Sequence, residues 1–254
     1  MDLSDPQTRE VFFDVHRDLP RQGPGNRAST ESALEMARPL PEMPRVLDIG
    51  CGPGMQTLHL ARALPDAQIQ AIDGHKPFVV EAERRLKEAG FGERVTVSLA
   101  DMTALPFQAE EFDLIWCEGA AYIMGVEEAL EAWKPLLKVG GRLAFTEPVW
   151  LRDDAPRFLR EWWEEEYPQL RDIKTLRKAV SGNGYRLLGD FPLPEEAWWD
   201  DYYKPMLRRI ERLTANYKAD PAAMSVLEEC QVEIDHYREC SEYYSYLFLV
   251  LERV

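Results

Sequence analysis

Arg45-Val46-Leu47-Asp48-Ile49-Gly50-Cys51-Gly52-Pro53-Gly54 decides how this chain is read. Val46 to Ile49 is a short apolar run with the character of a buried strand. Gly50, Gly52 and Gly54 follow at alternate positions. From Met55 to Leu64 the spacing becomes helical, with Leu58, Ala61 and Leu64 on one face. Strand, glycine turn and helix together bring bare backbone and a helix N-terminus against a ligand. Glycine admits close approach, and the first helical N–H groups have no partner of their own. A dinucleotide fingerprint requires G-x-G-x-x-G, and position 55 is Met instead. The turn here is G-x-G-x-G, with an acid, Asp48, just before it.

On the C-terminal side of this turn, strand and helix patterns alternate. Strands are expected over 45–49, 68–73, 94–99, 112–117 and 142–147, and helices over 55–64, 76–90 and 126–137. Such alternation implies a parallel sheet with helices on both faces. Upstream, a short helix is expected around Thr8 to Arg17 and a break at Gly23-Pro24-Gly25-Asn26. A helix over Glu31 to Pro39 follows, capped by Ser29 or Thr30. Beyond Glu147 the pattern predicts helices over Ala155 to Tyr167 and Ile173 to Ser181, then a strand over Tyr185 to Phe191. Two long amphipathic helices, Glu195 to Tyr217 and Pro221 to Tyr244, precede a last strand at Ser245 to Glu252. No internal repeat or low-complexity linker divides the chain, so one domain is expected.

The segment Val46 to Gly54 resembles motif I of the class I S-adenosylmethionine (SAM)-dependent methyltransferases. The likeness extends further. Asp73 ends the expected second strand and lies 19 residues after Gly54, close to the roughly 20 of a ribose-binding acid in a βαβ unit. Asp101-Met102-Thr103-Ala104-Leu105-Pro106-Phe107 and Phe112-Asp113-Leu114-Ile115 resemble the D-x-x-x-L-P-F … F-D signature of the small-molecule branch, which includes the quinone-biosynthesis enzymes. Leu136 to Leu143 resembles the L-K-P-G-G-x-L turn, with Val139 in place of the usual Pro. The resemblance covers about residues 45 to 147. It implies a Rossmann-like, doubly wound α/β fold: a mostly parallel seven-stranded sheet with helices on both faces and an antiparallel last strand. Residues 1–44 would form an N-terminal helical lid and 45–150 the SAM-binding core. Residues 151–254 would form a C-terminal half whose helical insertion, 194–244, lies over the substrate end.

The resemblance also implies roles. Gly50, Cys51, Gly52 and Gly54 would hold the methionine part of SAM, with Asp48 accepting from its α-amino group directly or through water. Asp73 would accept from the ribose diol, two acceptor oxygens meeting two donors, or else cap the helix at Lys76-Pro77-Phe78. Gly74 and His75 adjoin it. His75 or Lys76 would flank the adenine edge, or be a solvated loop residue. Asp101 would accept from the adenine amino group while Met102 N–H donates to a ring nitrogen; the other reading of Asp101 is a plain loop carboxylate. Trp116 to Tyr122 follows the fourth strand, where ligands of open α/β sheets bind. Glu118 would orient the acceptor, take its proton or bind cofactor, unless it is a capping or surface carboxylate. Tyr122 would touch either ligand or pack in the core. Cys117 reads as a buried filler, having no apparent histidine partner. Trp162, Trp163, Trp198, Trp199, Tyr202 and Tyr203 line an acceptor pocket or pack helices together. Phe12, His16, Gly25 and Asn26 are candidates for the lid.

Composition narrows the choice of acceptor. The chain has 254 residues, with 45 Asp and Glu against 30 Lys and Arg, for a net charge of −15. That field repels phosphate backbones and anionic lipid, so a small-molecule partner is expected rather than nucleic acid or membrane. No apolar run reaches a membrane span, and Met1 to Ser4 has no signal-peptide pattern. Cysteines 51, 117, 230 and 240 form no disulfide framework, which points to the cytoplasm. The four histidines show no metal spacing, and no metal is expected. The expected product is S-adenosyl-L-homocysteine (SAH). Two rivals remain: a non-enzymatic SAM or nucleoside binder, and an NAD(P)-linked oxidoreductase. The glycine pattern and the absence of Y-x-x-x-K count against the second.

Overall fold

The computed structural model of the chain describes residues 1–254. The N-terminal region holds α1 (Pro6–His16) and α2 (Arg27–Ala37). The alternating region then runs β1 (Arg45–Ile49), α3 (Met55–Ala63), β2 (Gln68–Asp73), α4 (Lys76–Glu88), β3 (Val95–Leu99), β4 (Phe112–Cys117), α5 (Val126–Trp133) and β5 (Leu137–Trp150). The rest is α6 (Arg157–Glu166), β6 (Arg171–Asp172), α7 (Ile173–Gly182), β7 (Tyr185–Pro192), α8 (Glu195–Trp198), α9 (Lys204–Tyr217), α10 (Pro221–Cys240) and β8 (Tyr244–Arg253).

The strands form one sheet in the order β3-β2-β1-β4-β5-β8-β7. β1 to β5 are mutually parallel, and β8 runs antiparallel to both β5 and β7. The strand order reverses between β1 and β4. That is the switch point where a crevice opens at the carboxyl ends of the strands. β4, buried along its whole length, sits at this centre. One face of the sheet packs on α2, α3 and α4, the other on α5 and α7. A third apolar core joins α1 and α6 to the helices between β7 and β8, away from the sheet faces.

Four local expectations are corrected. The cap of α2 is Asn26, whose Oδ1 accepts from Ser29 N at 2.8 Å; the helix therefore starts at Arg27, and Ser29 and Thr30 are buried within it. β5 extends from Leu137 to Trp150 because β8 pairs with it from Arg142 through Trp150, beyond the apolar run that marks it in sequence. An eighth strand exists: β6 pairs with Val149 and Trp150 of β5, and two residues carry no legible period. The run from Glu195 to Tyr217 is not one regular helix. A π-helical turn at Trp199–Tyr203 separates α8 from α9. Such turns shift the side-chain register, and here Tyr202 and Tyr203 are both buried.

Candidate active site

The turn between β1 and α3 has Gly50, Gly52 and Gly54 at φ 69, 52 and 82°. At two of them a side chain is excluded on contact grounds as well. A Cβ on Gly50 would lie 2.6 Å from Ala120 Cβ, and one on Gly54 2.9 Å from Ala82 Cβ. No side chain caps α3, so its first N–H groups stay available. Cys51 contributes little beyond its carbonyl: its N–H donates to Ile72 O at 2.9 Å, and its side chain is buried in the core.

Asp48 is fully buried beneath this turn. Its Oδ2 accepts from Thr57 Oγ1 at 2.5 Å, while Oδ1 has no partner. Burial pushes the carboxyl up to about 7, with the Thr57 bond acting the other way. A buried acceptor left open beside free helix N–H groups suits a zwitterionic amino-acid head. The ammonium meets the carboxylate and the α-carboxylate meets the N–H groups. SAM has such a head, and on this test the residues present fit it.

Asp73 bridges two loops. Its Oδ2 accepts from Gly52 N and its Oδ1 from His75 N, both at 2.8 Å. It does not cap α4, whose N-cap residue is His75. Each oxygen keeps a second lone pair for a hydroxyl donor. Gly74 beside it is exposed. The His75 ring stacks on Phe13 at 3.8 Å and 6°, with Phe78 edge-on, so one of its faces is taken by α1. Asp101 is exposed and binds its own loop, Oδ1 accepting from Thr103 N and Oγ1. Those bonds hold its carboxyl below the usual range. Met102 O accepts from Trp133 Nε1 at 3.3 Å, and its side chain reaches the Gly50 turn.

Glu118 lies elsewhere than a loop position suggests. Its carboxylate is buried and meets Arg21 Nη1 at 2.6 Å, Thr30 Oγ1 at 2.8 Å and Trp116 Nε1 at 2.8 Å. Arg21 also approaches His59 Nδ1, and burial with the nearby Arg21 charge holds His59 down to about 4, hence neutral. Three donors engage this carboxylate. It ties the end of β4 to the N-terminal segment. That segment covers the glycine turn, with Gln22 against Gly52. Gly25 N–H donates to Ala197 O at 2.9 Å.

A cavity of about 650 Å³ opens from the loop after β4 toward the C-terminal helices. Gly119 and Tyr122 lie at one end; Phe12, His16 and Gln22 border it from the N-terminal segment. Gly119 is fixed by donating its N–H to Thr146 Oγ1 at 2.7 Å. The Tyr122 side chain borders the cavity and is 37% exposed. Trp162, Trp163, Trp198, Tyr202 and Tyr203 are wall residues, whereas Trp199 lies outside and donates to Glu195. His16 is a buried neutral ring bonded to Phe12 O.

Four polar residues here escape sequence reading. Glu147 is 1% exposed and accepts from Tyr167 Oη at 2.6 Å; its Oε2 has no partner, and burial pushes it up to about 8. Glu233 on α10 accepts from Tyr203 Oη at 2.9 Å and Tyr202 Oη at 3.4 Å, and burial pushes it up to about 7. Tyr167, the donor to Glu147, and Arg21 are the other two. No spacing signal marks any of them, because each partner comes from a distant element.

An α/β sheet with a G-x-G-x-G turn at its switch point, and acids at the ends of β1, β2 and β3, defines a class of nucleoside-cofactor enzymes. A family model described as a methyltransferase domain matches residues 46–141. Trans-aconitate 2-methyltransferase of Variovorax paradoxus is 29% identical over 201 residues, covering 77% of this chain and 75% of that protein. Malonyl-acyl-carrier-protein O-methyltransferase 2 of Coxiella burnetii is 27% identical over 215 residues, covering 80% and 79%. A SAM-dependent methyltransferase of Geobacter sulfurreducens, solved with SAH, is 21% identical and shares the fold. It aligns at a TM-score of 0.82 over 98% of this chain and 99% of its own. Residues 46–141 thus match a methyltransferase domain, and the chain shares its fold with SAM-dependent methyltransferases.

Proposed function

We propose that this enzyme transfers the methyl group of SAM to a small molecule enclosed in the cavity beside Gly119 and Tyr122. The observation that carries this is adjacency. The cavity is lined by Gly119 and Gln22, next to the glycine turn that Ala120 and Gln22 pack against, and runs among the aromatic side chains of the C-terminal helices. Its volume suits a small ligand, for which pockets span roughly 300–1,000 Å³.

The sulfonium of SAM supplies an already activated methyl group. The remaining work falls to the chain. The turn at Gly50, Gly52 and Gly54 with Asp48 holds the amino-acid end, Asp73 the ribose, and Asp101 with Met102 N–H the adenine edge. Arg21 and Glu118 hold the N-terminal segment closed over the turn and keep water out. Tyr122 flanks the reacting atoms. Alignment of an acceptor for in-line attack contributes about 7–11 kcal/mol in favourable cases.

The net charge of −15 supports a small acceptor over a polyanion. Turnover of methyl-labelled SAM against small molecules, bulk tRNA and duplex DNA tests this reading. Transfer to a small molecule is expected. Faster transfer to a nucleic acid than to every small acceptor contradicts it.

A further inference from the structure

The cavity is acidic and aromatic, and no Lys or Arg side chain lines it. Glu165, Glu166, Glu228 and Glu229 stand at its rim and Glu233 within it. The one cation at the rim is the Met1 α-ammonium, 3.6 Å from Glu166 and 3.3 Å from Glu229. Glu233 has no cationic partner. Both tyrosine bonds fall on its Oε1, which leaves Oε2 to the cavity. The wall around it is built of aromatic rings, among them Tyr202, Tyr203 and Tyr244.

A second observation is independent of the acids. Tyr244 is 1% exposed and Trp163 9%, both line the cavity, and neither Tyr244 Oη nor Trp163 Nε1 has a hydrogen-bond partner. Buried polar atoms left open at a cavity wall are what a bound molecule satisfies. Aromatic faces and a carboxylate attract cations and repel anions. A carboxylate acceptor would meet Glu233 with no basic side chain to offset it.

We infer that the methyl acceptor is an organic amine, bound as its ammonium against Glu233 within the aromatic wall. This rests on the small-molecule reading above and names the substrate class for the same cavity. The chemistry balances. The ammonium gives one proton to the Glu233 carboxylate. The freed lone pair forms the N–CH₃ bond as the S–CH₃ bond breaks, and the electron pair of that bond stays on sulfur. The N-methylammonium carries the positive charge away, sulfur leaves as the neutral thioether of SAH, and the proton on Glu233 passes to solvent.

The test titrates SAH-saturated enzyme with phenethylamine and with phenylacetate, probes of similar size and opposite charge. Phenethylamine is expected to bind at least tenfold more tightly, and Glu233→Gln to remove that preference while SAH affinity stays within twofold. Tyr244→Phe, which leaves the ring in place, is expected to weaken the amine several-fold. Equal or tighter phenylacetate binding overturns the inference, and that comparison needs only the unaltered chain. Labelled-methyl turnover over amines and carboxylates separates the two levels. Transfer to carboxylates alone overturns the amine assignment and leaves the small-molecule reading standing. Transfer to nucleic acid alone removes both.

Discussion

Arg21 and Glu118 are 97 residues apart in sequence and meet at 2.6 Å, with side chains only 3% and 2% exposed. The pair joins the segment over the glycine turn to the end of the central strand. Removing one partner leaves an uncompensated buried charge, which costs about 3–5 kcal/mol. Glu118→Gln is expected to lower unfolding free energy in urea by about that amount. The double variant Arg21→Met with Glu118→Gln is expected to lose less than the two singles added. A general base at this position would give the opposite pattern, with normal stability and a large fall in kcat/KM.

Asp73 should matter for affinity. Asp73→Ala removes a charged acceptor expected to hold the ribose and also frees Gly52 N–H. SAH binding should weaken by about 1.5–3 kcal/mol per charge-assisted hydrogen bond lost. Titration calorimetry reads this directly, and unchanged affinity would remove Asp73 from the site.

The strand, glycine turn and acids of this region were legible because they are local. A short apolar run, three glycines and an acid lie within ten residues, and their chemistry needs no distant partner. Glu118, His75 and Glu147 are different. What each does depends on Arg21, Phe13 and Tyr167, which the fold delivers from the segment after α1, from α1 itself and from beyond α6. The π-helical turn was equally hidden, since Trp199 to Tyr203 keeps the composition of an ordinary amphipathic helix.

Stability of the SAM-free enzyme should fall as pH rises. Burial raises Glu147 to about 8, and Asp48 and Glu233 to about 7, from ordinary carboxylate values. The unfolded chain loses these protons first, so between roughly pH 4.5 and 8 the folded state binds more protons and unfolding grows easier with pH. The contribution is complete below the unfolded values and is lost as pH passes through the folded ones. Melting temperatures from pH 5.5 to 8.5 should show the decline, and Glu147→Gln should flatten it.

Two aromatics of the cavity wall should separate by burial. Trp162 is half-buried, whereas Trp198, on the same wall, is 2% exposed and stacks on Tyr237 at 4.1 Å. Trp198→Ala should cost about 3–5 kcal/mol of folding free energy. Trp162→Ala should change stability far less and raise KM for the acceptor. Urea melts paired with steady-state kinetics check both.

The central claim is that the glycine turn presents SAM to the cavity beside Gly119 and Tyr122. A crystal structure of the chain with SAH measures this directly. The amino-acid end is expected at Gly50 to Gly54 with its ammonium on Asp48 Oδ1, the ribose diol on Asp73, and the sulfur facing the cavity past Gly119. SAH bound away from the turn, or with its sulfur turned from the cavity, would contradict it.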